Sequence, residues 1–153
     1  MITTELILGI NKQDLRDAYA IRRAVFCEEQ KIPESIEADG LDSSAIHVVA
    51  YTDGVPTATG RLLVIKEGYV ISRVAVQEPF RGKGLGDLVV RVLIRTAFSM
   101  GGEQQIVHAQ LSVQGFYKKL GFIPKGEIYE EAGIAHISML HKGDVYGKCD
   151  NFK

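Results

Sequence analysis

Alternating apolar and polar positions divide the chain into short segments with periods of about 2 and about 3.6 residues, the signatures of strands and helices. Glu5 to Ile10 reads as a first strand. Asn11 follows as a helix cap, with Asp14 completing a short form of the capping box. Leu15, Ala18, Tyr19, Val25 and Phe26 then share one helical face, and Arg22 falls on that same face. Lys31 to Asp42 carries Pro33, Gly40 and several acids, which predicts a loop with room for one helical turn. Ala45 to Thr52 is apolar and β-rich, and Asp53-Gly54 predicts a hairpin into Val55 to Ile65. Pro56 stands at the start of that strand, where a missing N–H is tolerated. Glu67-Gly68 turns the chain again into Tyr69 to Val76, so these three strands form an antiparallel meander.

From Leu85 the period changes. Leu88, Val89, Val92, Leu93, Ala97 and Met100 keep helical spacing until Gly101-Gly102 ends the helix. Gln105 to Ala109 reads as a short buried strand, and strand–helix–strand within one sheet implies a parallel crossover. Ser112 caps a second helix with Val113, Phe116, Tyr117 and Leu120 on one face, ended by Gly121. Ile123 to Tyr129 and Ile134 to His141 form a closing hairpin around Glu131-Ala132-Gly133, and the tail after Lys142 is polar and irregular. The fold class is α/β (α+β), a mixed sheet of about seven strands with helices on both faces.

Composition adds limits. The 153 residues predict one domain, and 46% hydrophobic with 24% charged residues suits an ordinary globular core. A net charge of -1 predicts neither a nucleic-acid surface nor a membrane surface, so any phosphate recognition is local. The N-terminus lacks a basic-then-apolar leader and no apolar run is long enough to span a bilayer, so the expected location is cytoplasmic. Cys27 and Cys149, without CxxC spacing, read as a reduced pair, and four scattered histidines predict no metal site.

The most specific chemistry lies in Arg81-Gly82-Lys83-Gly84-Leu85-Gly86, between a strand and a long helix. Glycines let the backbone turn tightly and approach a ligand, and N–H groups leading into a helix N-terminus form an anion site. Arg81 and Lys83 add positive charge. No GxxxxGK[ST] run exists, and a dinucleotide fingerprint would need glycine where Asp87 stands. What remains is RxxGxG, with Arg81, Gly84 and Gly86 in place.

Together with Gly115-Phe116-Tyr117-Lys118-Lys119-Leu120-Gly121-Phe122, similar to FYxKxGF, this turn resembles the GNAT superfamily of acyl-CoA-dependent N-acyltransferases. The resemblance covers nearly the whole chain, including the order of its elements. A narrower likeness, to a small bacterial branch with RxxVFxxEQ, AQ and GIxH motifs, rests on four segments. These are Arg22 to Gln30, the acids of Glu37-Ala38-Asp39, His108-Ala109-Gln110 and Gly133 to Met139. Cys27 stands where that branch usually has an aliphatic residue.

The resemblance implies an N-acetyltransferase that uses acetyl-CoA as cosubstrate, acts on a primary amine without an acyl-enzyme, and often forms a homodimer. It implies that backbone N–H groups of Gly82, Lys83, Gly84, Leu85 and Gly86 bind the CoA pyrophosphate, helped by Arg81. Val74, Ala75 and Val76 would offer main-chain groups to the pantetheine arm, with the Val76 N–H polarising the thioester carbonyl, and Gln110 would contact the same arm. Tyr117 is the candidate general acid for the leaving thiolate. Candidates for the base are Glu28, Glu29, Glu37, Asp39 and His108, or a water, with Glu29 and His108 foremost. Arg22, Glu28, Asp39 and Arg73 are expected to shape the acceptor site, Arg22 through a pair with an acid in the 28–39 region. Arg73 could reach a substrate carboxylate or phosphate, or lie solvated. A rival reading with the same fold is a non-catalytic acyl-CoA-binding regulatory module.

Overall fold

Side chains that alternate along the meander enter two different cores. In strand β2 (Ile46–Thr52), Val48 and Ala50 join one apolar cluster while Val49 joins another. The sheet is therefore covered on both faces. The computed structural model describes residues 1–145; Cys149 and most of the tail after Lys142 lie outside the described residues.

Seven strands form one sheet in the order β1-β2-β3-β4-β5-β7-β6. They are β1 (Ile2–Leu8), β2, β3 (Val55–Ile65), β4 (Gly68–Val76), β5 (Gln104–Gln110), β6 (Ile123–Glu131) and β7 (Ile134–Lys142). Helix α1 (Arg16–Arg22) buries Ala18 and Ile21 with Ile7, Leu15, Val25, Val49 and Ala75 on one face. Helix α3 (Leu85–Ser99) covers the other face through Leu85, Val89, Val90, Leu93, Ile94 and Ala97. Helix α4 (Gln114–Lys119) adds Tyr117 to that larger core, beside Leu120 and Phe122. Gly60 of β3 permits the close approach of α3, because an added Cβ would meet Val89 Cγ1 at 2.6 Å and Leu93 Cδ1 at 2.8 Å.

Two irregularities in β4 shape the middle of the sheet. The β3–β4 register slips between Thr59 and Arg61, and Arg73 in the bulge takes φ 54°, a left-handed value that is uncommon for a residue with a side chain. The parallel pairing of β4 with β5 covers only Tyr69–Ile71 against Gln105–Val107. Past that point the strands part, and residues 72–76 keep β3 on one edge with no strand among the described residues paired on the other.

Local signals were less reliable at helix starts. Asn11 makes no side-chain cap bond; a 3-10 turn at Lys12–Leu15 leads into α1 instead. The first helix does not run on as an α-helix: Arg23–Glu29 continues in π form. Ser112 lies inside a 3-10 turn, Leu111–Val113, and Val113 rather than Ser112 precedes α4 and is 42% exposed. β1 begins three residues earlier than its apolar run suggests, because pairing with β2 extends from Ile2 opposite Thr52 to Leu8 opposite Ile46. The loop of Lys31 to Asp42 does hold one helical turn, α2 (Glu34–Glu37).

Candidate active site

The parting of β4 from β5 opens a cavity of about 660 Å³. Its apolar wall includes Phe26, Ile32, Ile36, Leu41, Leu63 and Val70. Its polar groups include Arg73, His108, Gln110 and Tyr117, and also Glu67, which reads in the sequence only as a turn residue. A second depression, of about 550 Å³, lies between β1 and the start of α1 and holds none of the candidate site residues.

The glycine turn lies beyond the end of β4 and outside the lining of the larger cavity. Gly82 and Gly84 both take φ 79°, which glycine adopts without strain, and no atom lies within 4 Å of a Cβ built on either. Open space therefore lies over a left-handed turn that leads directly into a fifteen-residue helix. That geometry fits a pyrophosphate held by main-chain N–H groups. Gly86 serves packing instead, since its added Cβ would touch Phe116 and Val76 at 3.4 Å. The Leu85 side chain is buried in the larger core.

Arg81 is placed differently from its expected role as a free phosphate contact. Its two terminal nitrogens donate to Glu29 at 2.7 Å each, and its Nε donates to the Val76 carbonyl at 3.0 Å. The Arg81 bond holds the Glu29 carboxyl below its ordinary range. A carboxylate so engaged has lost proton affinity, which weighs against Glu29 as a general base. Lys83 Nζ lies 5.7 Å from the Phe80 ring centroid.

Beside the cavity three arginines and three acids form one network. Arg22, 1% exposed, donates to Glu37 at 2.6 Å and to Asp42 at 2.9 Å, and it lies 5.5 Å from the centroid of the Tyr19 ring. Arg61, 2% exposed, donates to Asp39 and Asp42 at 2.9 and 3.0 Å and to the Ser72 hydroxyl at 3.1 Å. Arg73 donates to Glu37 at 2.8 Å and to Asp39 at 3.2 Å, so its guanidinium is ion-paired within the protein. Burial works to raise the Asp39 carboxyl, but its bonds to Arg61 and the Leu41 N–H bring it down to about 2. The Asp42 carboxyl is likewise lowered, burial being outweighed by Arg22 and Arg61. Glu37 and Asp39 are thereby committed as counter-ions. Glu28 is exposed and does not line the cavity. Arg61 went unnoticed in the sequence, although a lone arginine inside the apolar run Val55 to Ile65 was a usable signal.

Tyr117 and His108 line the cavity outside that network. Tyr117 is 8% exposed, packed edge-on against Phe116 and Phe122, and burial pushes its phenol well above the ordinary value. It therefore stays protonated through the neutral range. His108 is the first β5 residue beyond the last β4 pair, with Nδ1 2.8 Å from Ser138 Oγ and Nε2 3.0 Å from Glu67. Gln110 lies two residues farther along the same strand face, also on the cavity wall. Val74 and Val76 pack toward α3 and Ala75 toward α1, so what they present to the parted edge is main chain. His136, a residue of the GIxH segment, instead bonds the Ile134 carbonyl and stacks on Tyr129.

Residues 11–142 match the family of the acetyltransferase (GNAT) domain. YjcF of Bacillus subtilis, an uncharacterised N-acetyltransferase, is 32% identical over 136 residues, which cover 88% of this chain and 96% of that protein. The ElaA protein of Escherichia coli is 35% identical over 127 residues, covering 80% and 83%. The crystal structure of Escherichia coli ElaA superposes with a TM-score of 0.83 over 93% of this chain and 100% of that one, at 29% identity. An acyl-CoA N-acyltransferase from Pseudomonas aeruginosa gives 0.81 over 92% and 99%, also at 29% identity. With the open glycine turn, the parted strands and this family match together, the chain belongs to the GNAT acetyltransferase family.

Proposed function

We propose that the protein transfers an acetyl group from acetyl-CoA directly to a primary amine of a small molecule or peptide. The observation that carries this reading is the placement of the Tyr117 phenol on a cavity that opens where β4 leaves β5, with Gly82 and Gly84 lying beyond the end of β4. The main-chain N–H groups of residues 82–86 and the Lys83 ammonium hold the pyrophosphate. The unpaired edge of residues 72–76 receives the pantetheine arm as an added strand would be received, with Gln110 contacting the same arm.

The acceptor amine enters from the face that carries Arg73 and His108. His108 takes its proton. The neutral amine attacks the thioester carbon while the Val76 N–H polarises the carbonyl oxygen. As the carbon–sulfur bond breaks, Tyr117 protonates the thiolate and recovers a proton from the new amide nitrogen. The products are an acetamide and CoA thiol. Cys27 is half-buried and its thiol is raised, with burial the main cause, which does not suit a nucleophile.

Thiol release from acetyl-CoA across alkylamines, polyamines, amino sugars, aminoglycosides and peptide N-termini tests the reading. Turnover on at least one class is expected. Tight CoA binding without turnover on any of them would favour a regulatory acyl-CoA-binding module.

A further inference from the structure

His108 is held from both sides. Both oxygens of Glu67, which stands in the β3–β4 turn, lie near Nε2, at 3.2 and 3.0 Å. Ser138 of β7, directly opposite His108 in the β5–β7 register, places Oγ 2.8 Å from Nδ1. A carboxylate can only accept, so in the neutral imidazole the hydrogen resides on Nε2 and points at Glu67. Nδ1 then carries the lone pair, and the Ser138 hydroxyl donates to it. Carboxylate, imidazole and hydroxyl thus stand in series, and Glu67 and His108 both line the acceptor cavity. Such a carboxylate fixes the tautomer and stabilises the imidazolium once a proton arrives.

We propose that Glu67 is the positioning residue that makes His108 a base, with Nδ1 as the receiving atom and the Ser138 hydroxyl as its donor until an amine arrives. This role rests on the acetyl-transfer reading. An incoming ammonium gives one proton to Nδ1, directly or by exchange through the Ser138 hydroxyl, and leaves as the neutral nucleophile. The imidazolium so formed is balanced by Glu67 and returns its proton to water after the product departs. The second amine proton follows the Tyr117 route to sulfur, so the reaction releases one proton in all. The other groups around the ring are Tyr129 from β6, its ring centroid 6.3 Å away and edge-on and its phenol hydrogen-bonded with the Ser138 hydroxyl, and His136 behind it, 3.7 Å from Glu131. No cation among the described residues is bonded to Glu67, so its charge is left to His108.

Imidazole ¹⁵N resonances of His108 and steady-state thiol release, with spermidine, benzylamine and a lysine-containing peptide as probe amines, test this together. The expected results are a neutral ring protonated at Nε2 and an acid limb of kcat/KM that moves to lower pH in Glu67→Gln. Glu67→Gln should lower kcat about tenfold with the KM for acetyl-CoA unchanged, less than the roughly hundredfold loss on removing the base itself. His108→Ala should regain activity with added imidazole. A ring protonated at Nδ1, or a Glu67→Gln variant with unchanged kcat and acid limb, would overturn the assignment while leaving transfer intact. Absence of turnover on any probe amine by the unaltered protein would instead overturn the transfer reading, and the base role with it.

Discussion

Tyr117 and Glu29 show how burial and pairing divide the work among single residues. Burial raises the Tyr117 phenol, so the group keeps its proton through the neutral range. Tyr117→Phe should lower kcat by roughly a hundredfold or more if general acid catalysis is lost, while CoA affinity stays unchanged. Thiol-release kinetics alongside direct CoA titration would separate the two. Glu29 occupies Arg81 with two bonds beside the glycine turn. Freeing that guanidinium should favour an anion, so Glu29→Gln is expected to tighten CoA binding a few-fold at low salt, an advantage that fades as salt screens the charge. Equal or weaker binding by the variant at low salt would show that the pair orients Arg81 rather than competes for it. Tyr117 and the glycines were legible as motif residues. The Glu29 pairing was not, because its partner lies 52 positions away in sequence.

The acid-rich segment between α1 and β2 is tied to the sheet by charge as well as by apolar contact. Arg22 of α1 and Arg61 of β3 share Asp42, while Arg61 and Arg73 share Asp39. Three cations face three acids, so the network is balanced and every member already has a partner. Replacing Arg22 with methionine would leave Glu37 and Asp42 short of one cation in a buried setting. Such a loss costs roughly 3–5 kcal/mol, and urea denaturation should show it as a lowered midpoint. A midpoint unchanged within error would mean that water enters and solvates the acids. The sequence announced Arg22 by its helical face and its need for an acid, but Asp42 fell outside the segment expected to supply one. Helix caps failed for a related reason. The α1 and α4 starts are set by 3-10 turns seated against the sheet, not by the local cap residues Asn11 and Ser112.

Across the whole molecule, the ion-pair network beside the cavity depends on ionised carboxylates and therefore on pH. The folded Asp39 carboxyl, at about 2, lies below its ordinary value, and Asp42 is lowered too. A carboxyl depressed by folding contributes stability above its unfolded pKa of about 4, and that contribution disappears as pH falls through the folded value. Stability should therefore decline between about pH 5 and pH 2, and Asp39→Asn should flatten the decline. Chemical denaturation at a series of pH values checks both. An equal slope in the variant would place the loss on other acids. The sequence by itself determined the order of the elements, the mixed sheet with helices on both faces, the glycine turn and the family, because periodicity and backbone freedom are local properties. Only the tertiary structure decided which charges are committed and which remain available. It places Arg81 on Glu29, Arg73 on Glu37 and Asp39, and Glu67 and Ser138 on either side of His108. Those pairings join residues 30 or more positions apart, and what a charged group can do is set by the neighbours that folding brings to it.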